Sequence, residues 1–316
     1  MGATPRLLRP VVGPITMLPT RYRLRKIKQS FKPLFEERMK LLKQSKEENC
    51  FSDPQDHLQM MLRYAQTERP LEFNLHDMAI RLVFANLGSF HQTSIAITNI
   101  IFNILASDSE YNTISMIRDE VSQVTGVQGQ CWTKADVAKM IRTDSVMRET
   151  LRINSFGNRS VIRQVMVDSL RTEDGILLPK GALCSVLAHP AQCDEDIFPD
   201  PLKFDPFRFS RIREGASDAT NATQQGGPDD KLTDKDLTLS FVSTGPQNLP
   251  FGHGRHSCPG RFLVDFELKM TIAYLLTHYD LEFPPEYYGR RPESTWVAEA
   301  ILPPSWGKIR VRRKAT

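Results

Sequence analysis

The sequence predicts a mainly α-helical protein with a small β portion, and three observations lead to this prediction. Residues 74–107 are rich in apolar side chains and contain no proline, which indicates one long helix. Helical spacing of apolar residues recurs at 109–125 and at 133–153. Short β-like runs separated by Glu-Asp-Gly and Pro-Lys-Gly turns then follow, so we place the β portion between residue 153 and the region of Cys258.

The long segment 74–107 has the features of a helix inside a large helical domain. Asn74 followed by Asp77 matches the pattern of a helix N-terminal cap. Roughly 30 residues at about 1.5 Å each would span ~45 Å. Several polar residues make the segment too polar to lie in lipid. They are Arg81, Asn86, His91, Gln92, Asn99 and Asn103. We therefore expect this helix to be buried on most sides.

Three further segments complete the expected order of the chain. Residues 21–46 predict one or two basic amphipathic helices, whose Lys/Arg excess indicates a solvated face or, alternatively, a membrane-surface role. Residues 212–237 are rich in Gly, Asp, Thr and Gln, which predicts a surface loop or insertion. The last helix is expected at 259–278, and short strands close the chain.

Composition and charge are typical of a soluble globular protein. Of 316 residues, 40% are hydrophobic and 25% are charged, and the net charge is +4. This small excess could suit an acidic partner, but it favours a mixed solvated surface, and we expect no nucleic-acid partner. Five scattered cysteines without C-x-x-C spacing argue against a disulfide framework and fit a reducing compartment. Prolines break the N-terminal apolar runs and no long apolar run follows, so we expect neither a signal peptide nor a transmembrane segment.

A single cysteine, Cys258, lies in the stretch PFGHGRHSCPGRF, residues 250–262. Pro259 suits the first position of a helix, which would put the sulfur at a helix N-terminus, where the dipole favours thiolate. Three glycines let the backbone pass close to a flat or bulky group. They are Gly252, Gly254 and Gly260. A thiolate in such a loop suits an axial metal ligand.

Three other interpretations of Cys258 remain open on the residues alone. It can be a buried structural thiol, which is the usual role of a single cysteine. It can be a nucleophile paired with His253 or His256. It can also share a zinc site with these two histidines, although three ligands within six residues would be cramped. None of the three explains the glycine pattern.

The whole stretch resembles the heme-binding loop of the cytochrome P-450 family, the heme-thiolate monooxygenases. The family pattern is aromatic–Gly–x–Gly–x–basic–x–Cys–x–Gly. It is matched by Phe251, Gly252, Gly254, His256, Cys258 and Gly260. The resemblance implies that Cys258 is the proximal ligand of the heme iron and that Phe251 lies beside its sulfur. It also implies that His256 faces a heme propionate.

A second match joins Glu149-x-x-Arg152, in MRETLR, with Arg208, in FDPFRF. Alone, a Glu–Arg pair three residues apart on a helix is a commonplace contact. The resemblance implies that Arg208 completes a trio around the Glu149 carboxylate. One carboxylate shared by two guanidinium groups makes several charge-assisted hydrogen bonds in a fixed geometry. We therefore assign the trio to structure and not to the reaction.

A third match lies in LGSFHQTS, where the family's long central helix has a kink beside the oxygen site. His91 takes the place of the family's acid, Gln92 takes the place of its threonine, and Thr93 follows. A hydroxyl can donate and relay protons, whereas an amide donates but relays poorly. The resemblance implies proton delivery near His91, Gln92 and Thr93. The alternative is a polar kink inside a buried helix.

The resemblance runs from the long central helix through the Glu-x-x-Arg helix and the cysteine loop to the last helix. It implies that residues 1–316 form a single, partial domain of this fold, truncated at its N-terminal side and without the membrane anchor of the family. Arg163, in SVIRQVM, matches a position that sends an arginine to a heme propionate. An ordinary exposed strand arginine is the alternative at that position.

The resemblance also implies a function. A monooxygenase of this family inserts one oxygen atom from O2 into an apolar organic substrate, with electrons from NADPH delivered by a cytochrome reductase at the cytoplasmic face of the endoplasmic reticulum. The fungal character of the motifs points to secondary metabolism and to a terpenoid, polyketide or indole-type substrate. Such a substrate would lie against Phe84, Gly88 and Phe90 and the turn at 156–161. The alternative is an inactive remnant or a non-enzymatic heme-binding protein.

Overall fold

The chain divides into two units, Met1–Phe90 and His91–Thr316. We describe them from a computed structural model that covers residues 9–47, 54–125, 132–221 and 238–314. The predicted fold class is confirmed, because helices dominate and the strands form small antiparallel pairs. Within the described residues, no helix has the length and apolar character that crossing a bilayer requires.

The helices of the described residues are α1 Arg9–Thr16, α2 Leu18–Glu47, α3 His57–Glu68, α4 Leu75–Tyr111, α5 Thr113–Thr125, α6 Lys134–Ala138, α7 Ile141–Ile153, α8 Ala188–Gln192, α9 Ser210–Asn221 and α10 Arg261–His278. The strands are β1 Arg159–Gln164, β2 Ser169–Arg171, β3 Leu177–Pro179, β4 Leu183–Leu187, β5 Tyr279–Glu282, β6 Thr295–Val297, β7 Ala300–Leu302 and β8 Arg310–Arg313. They pair as β1–β4, β2–β3, β5–β8 and β6–β7, all antiparallel.

The first unit packs α2, α3 and the start of α4 around a small apolar core. Its buried side chains are Phe31, Leu42, Leu58, Leu62, Ala65, Met78 and Ala79. Helix α3 begins at a side-chain cap, because Asp56 accepts a hydrogen bond from the Gln59 amide at 2.9 Å. Arg38 of α2 also donates to Asp56, at 2.8 Å, so the cap ties α2 to α3.

Helix α4 confirms the predicted N-terminal cap but not the predicted burial. Asn74 Oδ1 accepts hydrogen bonds from the amides of His76 and Asp77, each at 3.0 Å. The helix is 37 residues long, and its C-terminal part supplies buried core residues from Ile95 onward. Its middle is not buried on most sides, since Phe84 is 69% exposed. Apolar content alone does not determine burial, which depends on the neighbours that pack against each side.

Helix α7 is the central helix of the second unit, and residues 143–152 along it are all buried or nearly so. The core around it comes from α4, α5, α7 and α10, with Phe207, Phe241 and Phe283 from loops. The expected helix at 133–153 is divided into α6 and α7. Glu120 of α5 replaces a local cap for α7, because its carboxylate accepts the amides of Arg142 and Thr143 at 2.5 and 2.9 Å.

The small β portion lies where it was predicted, with β1–β4 between α7 and the region of Cys258 and β5–β8 near the end of the chain. Two boundaries differ from the expectation. Residues 212–221 of the expected surface loop belong to α9, and residues 222–237 lie outside the described residues. The last helix begins at Arg261, with Gly260 as its N-cap, so Pro259 precedes the helix instead of opening it.

A buried carboxylate on α7, Asp144, joins separate parts of the second unit. It accepts hydrogen bonds from Lys269 of α10 at 2.7 Å, Arg213 of α9 at 2.9 Å and the Phe241 amide at 2.8 Å. These three charged side chains are at most 5% exposed. Burial disfavours the charged form of Lys269, but Asp144 and Asp265 outweigh it, and the pKa of the ammonium is raised.

Replacing Asp144 should therefore destabilise the fold strongly. Asp144→Asn removes the carboxylate charge that the buried side chains of Lys269 and Arg213 share and leaves Asp265 beside Lys269, and we expect the free energy of unfolding to fall by about 3–5 kcal/mol. Urea unfolding followed by circular dichroism measures this loss. Asp168→Asn is the control, because Asp168 pairs with Lys180 on the surface and its loss should cost about 0–1 kcal/mol. Equal losses in the two variants would contradict the argument.

Candidate functional site

Cys258 lies in a loop that its own main chain closes. The Cys258 amide donates to the Phe251 carbonyl at 2.8 Å, and the Ser257 amide donates to the Gly254 carbonyl at 3.0 Å. The Ser257–Gly254 bond closes a 3₁₀ turn, Gly254–His256, and this turn lies inside the larger loop that the Cys258–Phe251 bond closes. The thiol is free and half-buried. The loop therefore holds the cysteine backbone in one position while part of the side chain stays accessible.

The glycines of this loop have a physical reason at three positions. Gly252 and Gly254 have φ of +69° and +74°, in the left-handed region where a side chain is strained. A Cβ at Gly260 would lie 3.9 Å from the Cys258 sulfur, so any side chain there would start against the thiol. Glycine thus sets the path of the loop and leaves space beside the sulfur.

The residues of the loop fit a flat, iron-bearing group. A thiolate is a soft ligand that suits iron, and a side-chain-poor bend lets such a group approach the sulfur closely. Phe251 packs edge-on against Phe241, with ring centroids 5.1 Å apart, which fixes the aromatic residue that precedes the bend. Cys258, the three glycines and Phe251 are the residues that would hold the group.

The histidines of the loop are both exposed. The ring of His253 lies 3.1 Å from the Thr244 hydroxyl, which gives His253 a partner other than Cys258. Across the described ranges, no group of three or more His, Cys, Asp or Glu side chains is placed to hold a metal ion. The zinc interpretation therefore receives no support from the geometry of these residues.

The structure brings Glu149, Arg152 and Arg208 together. Arg152 donates two hydrogen bonds to the Glu149 carboxylate, at 2.7 and 2.8 Å, and both side chains are at most 1% exposed. Arg208 donates to the same carboxylate at 3.1 Å. Arg208 also donates to the Pro199 carbonyl at 2.7 Å. The trio thus ties the segment from Pro199 to Arg208 to helix α7.

The segment before the loop is held by a second arginine of α7. Arg148 donates to the carbonyls of Thr238 and Ser240, each at 2.9 Å, and to the Ser243 hydroxyl at 2.7 Å. Its guanidinium lies over the Phe209 ring, 4.4 Å from the centroid. Burial lowers the pKa of Arg148 to about 10, so the side chain is still a cation at neutral pH.

A third arginine closes the loop from the α10 side. Arg261 donates to the Val242 carbonyl at 3.0 Å and to the Cys258 carbonyl at 2.7 Å. It therefore clamps the cysteine to the segment that enters the loop. Sequence reasoning missed Arg148 and Arg261. Only Arg261 has a local signal, since it is three residues from the cysteine, whereas the partners of Arg148 lie about 90 residues away.

Strand β1 approaches the loop and carries Arg163. Ser160 donates its hydroxyl to the Leu249 carbonyl at 3.0 Å. A bulge follows, because Ser160 pairs with Val186 and Arg163 pairs with Cys184. Val186 and Cys184 are two residues apart and share a face, so the bulge puts Arg163 on the same face as Ser160.

Two candidate propionate partners are therefore placed around the loop. Arg163 is exposed on the face of β1 that contacts the loop, and its guanidinium donates to the carbonyl of Ile162 at 2.9 Å. His256 is exposed within the loop itself. Neither position depends on a buried partner, so both side chains can turn toward an anionic ligand.

The segment with His91, Gln92 and Thr93 remains α-helical within α4. The His91 ring meets the Phe156 ring edge-on, with centroids 6.4 Å apart. Gln92 is exposed and Thr93 is partly buried. Phe156, the first residue of the turn at 156–161, is therefore beside His91. Phe84, Gly88 and Phe90 belong to the first unit, and Phe84 and Phe90 are exposed there.

Comparison with known proteins identifies the family. The family model for cytochrome P-450 matches residues 4–311. A cytochrome P-450 monooxygenase of Penicillium brasilianum, pbrC, is 53% identical over 99% of this chain and 57% of its own length. The corresponding enzyme astC of Aspergillus terreus is 51% identical over the same shares. The relative tenB of Beauveria bassiana is 43% identical over 98% of this chain and 56% of its own length.

These matches extend over nearly all of the chain, and the Cys258 loop lies inside the matched residues. The chain itself spans a little over half the length of these relatives, 57% of the first two. The family is one of heme-thiolate proteins, which agrees with a lone cysteine in a glycine-bearing bend. The chain belongs to the cytochrome P-450 family.

Proposed function

We propose that this chain is the heme-holding part of a monooxygenase that inserts one oxygen atom from O2 into an apolar organic substrate. We place the reaction in fungal secondary metabolism, with a terpenoid, polyketide or indole-type substrate. The observation that carries the proposal is the loop of Cys258, which its main chain closes, which carries glycines at 252, 254 and 260, and whose thiol is half-buried. Fungal monooxygenases of the family at 43–53% identity support the class of reaction.

Each residue of the site has a separate role in this proposal. The Cys258 thiolate would bind the heme iron, and the amide hydrogen bonds of the loop hold the Cys258 backbone in place. His256 and Arg163 bind the heme propionates as cationic or donating groups. The bound heme supplies the activation of O2 with two electrons. Glu149, Arg152 and Arg208 hold the chain around the loop and take no part in the reaction.

The proton path is assigned to the exposed turn of α4. Thr93 offers a hydroxyl that can both accept and donate, while Gln92 can donate but relays poorly. The His91 ring offers nitrogens that can donate or accept a hydrogen bond and is held by the edge contact with Phe156. Proton delivery therefore passes through His91 and Thr93, with Gln92 as a donor.

The partners follow from the reaction class. We propose that a cytochrome reductase delivers the electrons of NADPH, as in the family, and that the protein works at the cytoplasmic face of the endoplasmic reticulum. The substrate lies against Phe156 and the following turn, where an aromatic side chain 38% exposed offers apolar contact.

A second candidate is an inactive remnant or a non-enzymatic heme-binding protein. Large apolar side chains on the β1–β4 pair are open to solvent, with Ile162 58% and Leu183 73% exposed. If the chain acts alone, water reaches a heme held beside these strands, and the reaction loses its dry pocket. NADPH consumption by the heme-loaded chain in the presence of the reductase distinguishes the two candidates.

Replacing the proposed ligand gives the first test. The purified chain should take up heme, and its reduced carbon monoxide complex should show the red-shifted Soret band of thiolate ligation. Cys258→Ser should lose this band completely, because serine does not supply a thiolate. Absorption spectroscopy of the reduced protein with carbon monoxide measures the outcome.

Cys184→Ser is the matched control for this experiment. Cys184 is another free, half-buried thiol of the second unit, located on β4. This variant should retain the thiolate-type band. Retention of that band in Cys258→Ser, or its loss from both variants, would refute the assignment of Cys258.

A second test concerns the proton path. Thr93→Val removes the hydroxyl but keeps the shape of the side chain, so more of the O2 that receives two electrons and two protons should be released as hydrogen peroxide, and less should yield oxidised product and water. We expect the ratio of product to NADPH consumed to fall by about tenfold to a hundredfold. The assay uses the reductase and a terpenoid, polyketide or indole-type compound that the wild-type protein oxidises.

Thr98→Val is the control for Thr93→Val, because Thr98 lies on the same helix and its hydroxyl bonds the Ser94 carbonyl at 2.7 Å. This variant should leave the ratio unchanged. Unchanged coupling in Thr93→Val would show that the Thr93 hydroxyl does not deliver the proton.

A further inference from the structure

Gln192, at the end of α8, is a fully buried amide with hydrogen bonds at both ends. Its exposed fraction is 0%. The side-chain nitrogen donates to the Arg152 carbonyl at 3.0 Å, and the side-chain oxygen accepts the Leu249 amide at 2.8 Å. The main-chain carbonyl of Gln192 accepts a hydrogen bond from the Arg152 guanidinium at 2.8 Å. Buried polar groups are normally hydrogen-bonded, and a satisfied network of this kind makes the segments that it joins more rigid.

These bonds join the buried trio to the entrance of the cysteine loop. Arg152 is held by Glu149 on one side and reaches Gln192 on the other. Gln192 then holds the amide of Leu249, whose carbonyl accepts the Gly252 amide at 2.9 Å. The Leu249 carbonyl also accepts the Ser160 hydroxyl. Leu249 is therefore fixed from both sides, two residues before the residue that bonds the Cys258 amide.

The chemistry of the position restricts it to a neutral group with one donor and one acceptor. The Arg152 carbonyl needs a donor, and the Leu249 amide needs an acceptor. A carboxylate offers no donor and would bring a second buried anion toward Glu149, while an ammonium offers no acceptor. The amide of glutamine supplies both groups and reaches both partners at normal hydrogen-bond distances.

We propose that Gln192 is a positioning residue that sets the start of the Cys258 loop through the Leu249 amide. This inference rests on the proposed role of Cys258 as a ligand. The hydrogen bonds of Gln192 go to helix α7 and to Leu249, so its link to the loop is the Leu249 amide. Its loss should disturb the loop locally while the rest of the second unit keeps its structure.

Hydrogen exchange on the heme-free full chain tests this proposal directly. Gln192→Met keeps the length of the side chain but replaces the amide oxygen by a thioether, which is only a weak acceptor, so the Leu249 amide loses its strong partner. Its exchange rate should rise by about tenfold or more, together with that of Gly252. The amides of α5 and α10 should keep the wild-type rates. Mass spectrometry after proteolysis resolves these segments.

Two further variants make the exchange experiment decisive. Gln59→Met is the matched control, because Gln59 is a glutamine of the first unit that is only 1% exposed. It should leave the rate at Leu249 unchanged. Gln192→Asn keeps the amide but draws it back by one methylene, so it should also accelerate Leu249 and provides the test if Gln192→Met does not fold.

A heme-loaded measurement then separates this inference from the proposed function. In Gln192→Met, a larger fraction of the reduced carbon monoxide complex should show the band typical of neutral axial ligation, and in Gln59→Met that fraction should match the wild type. Wild-type exchange at Leu249 in Gln192→Met and Gln192→Asn would overturn the inference, as would a uniform rise throughout the second unit. Failure of the wild-type chain to take up heme would overturn the proposed function, while the exchange rates would still decide the role of Gln192.

Discussion

The buried pair of Arg152 and Glu149 is the constraint on which the site depends. A guanidinium 1% exposed and a carboxylate 0% exposed are each too costly to bury alone, so each requires the other. Glu149 does not accept hydrogen bonds from all N–H groups of Arg152. The remaining buried N–H groups also need acceptors. The Gln192 carbonyl meets that need. The requirement to satisfy one buried cation thus brings α8, and with it the entrance of the cysteine loop, against helix α7.

Helix α7 carries further buried charged side chains that each need partners. Asp144, Arg148, Glu149 and Arg152 follow one another at spacings of four, one and three residues, which places them on neighbouring turns. Together they bond the segment 238–243, helices α8, α9 and α10, and Arg208. Segments far apart in sequence are therefore positioned by a single rigid helix. Because each of these groups is buried, the loss of one partner leaves an unsatisfied charge or donor and not merely a missing contact.

This arrangement separates the residues that hold the site from those assigned to its chemistry. The holding groups are buried and fully engaged, as Arg152 and Gln192 illustrate. The groups proposed to meet the heme or relay protons, His256, Arg163 and His91, are exposed. A site built in this way keeps the backbone of Cys258 rigid while the side chains that face ligands stay free to adjust.

The sequence by itself determined the features that depend on near neighbours. The loop of Cys258 was predictable because its glycines and its cysteine lie within nine residues, and the Asn74 cap because it acts on amides two and three residues away. Glu149 and Arg152 were predictable from their spacing on one helix, and Arg208 only through the family resemblance. Tertiary structure alone decided that Asp144 meets Phe241 and Lys269, that Gln192 meets Leu249, and that the middle of α4 is exposed. Hydrogen bonds across 40 to 125 residues have no local pattern, because they form only where packing brings distant segments together.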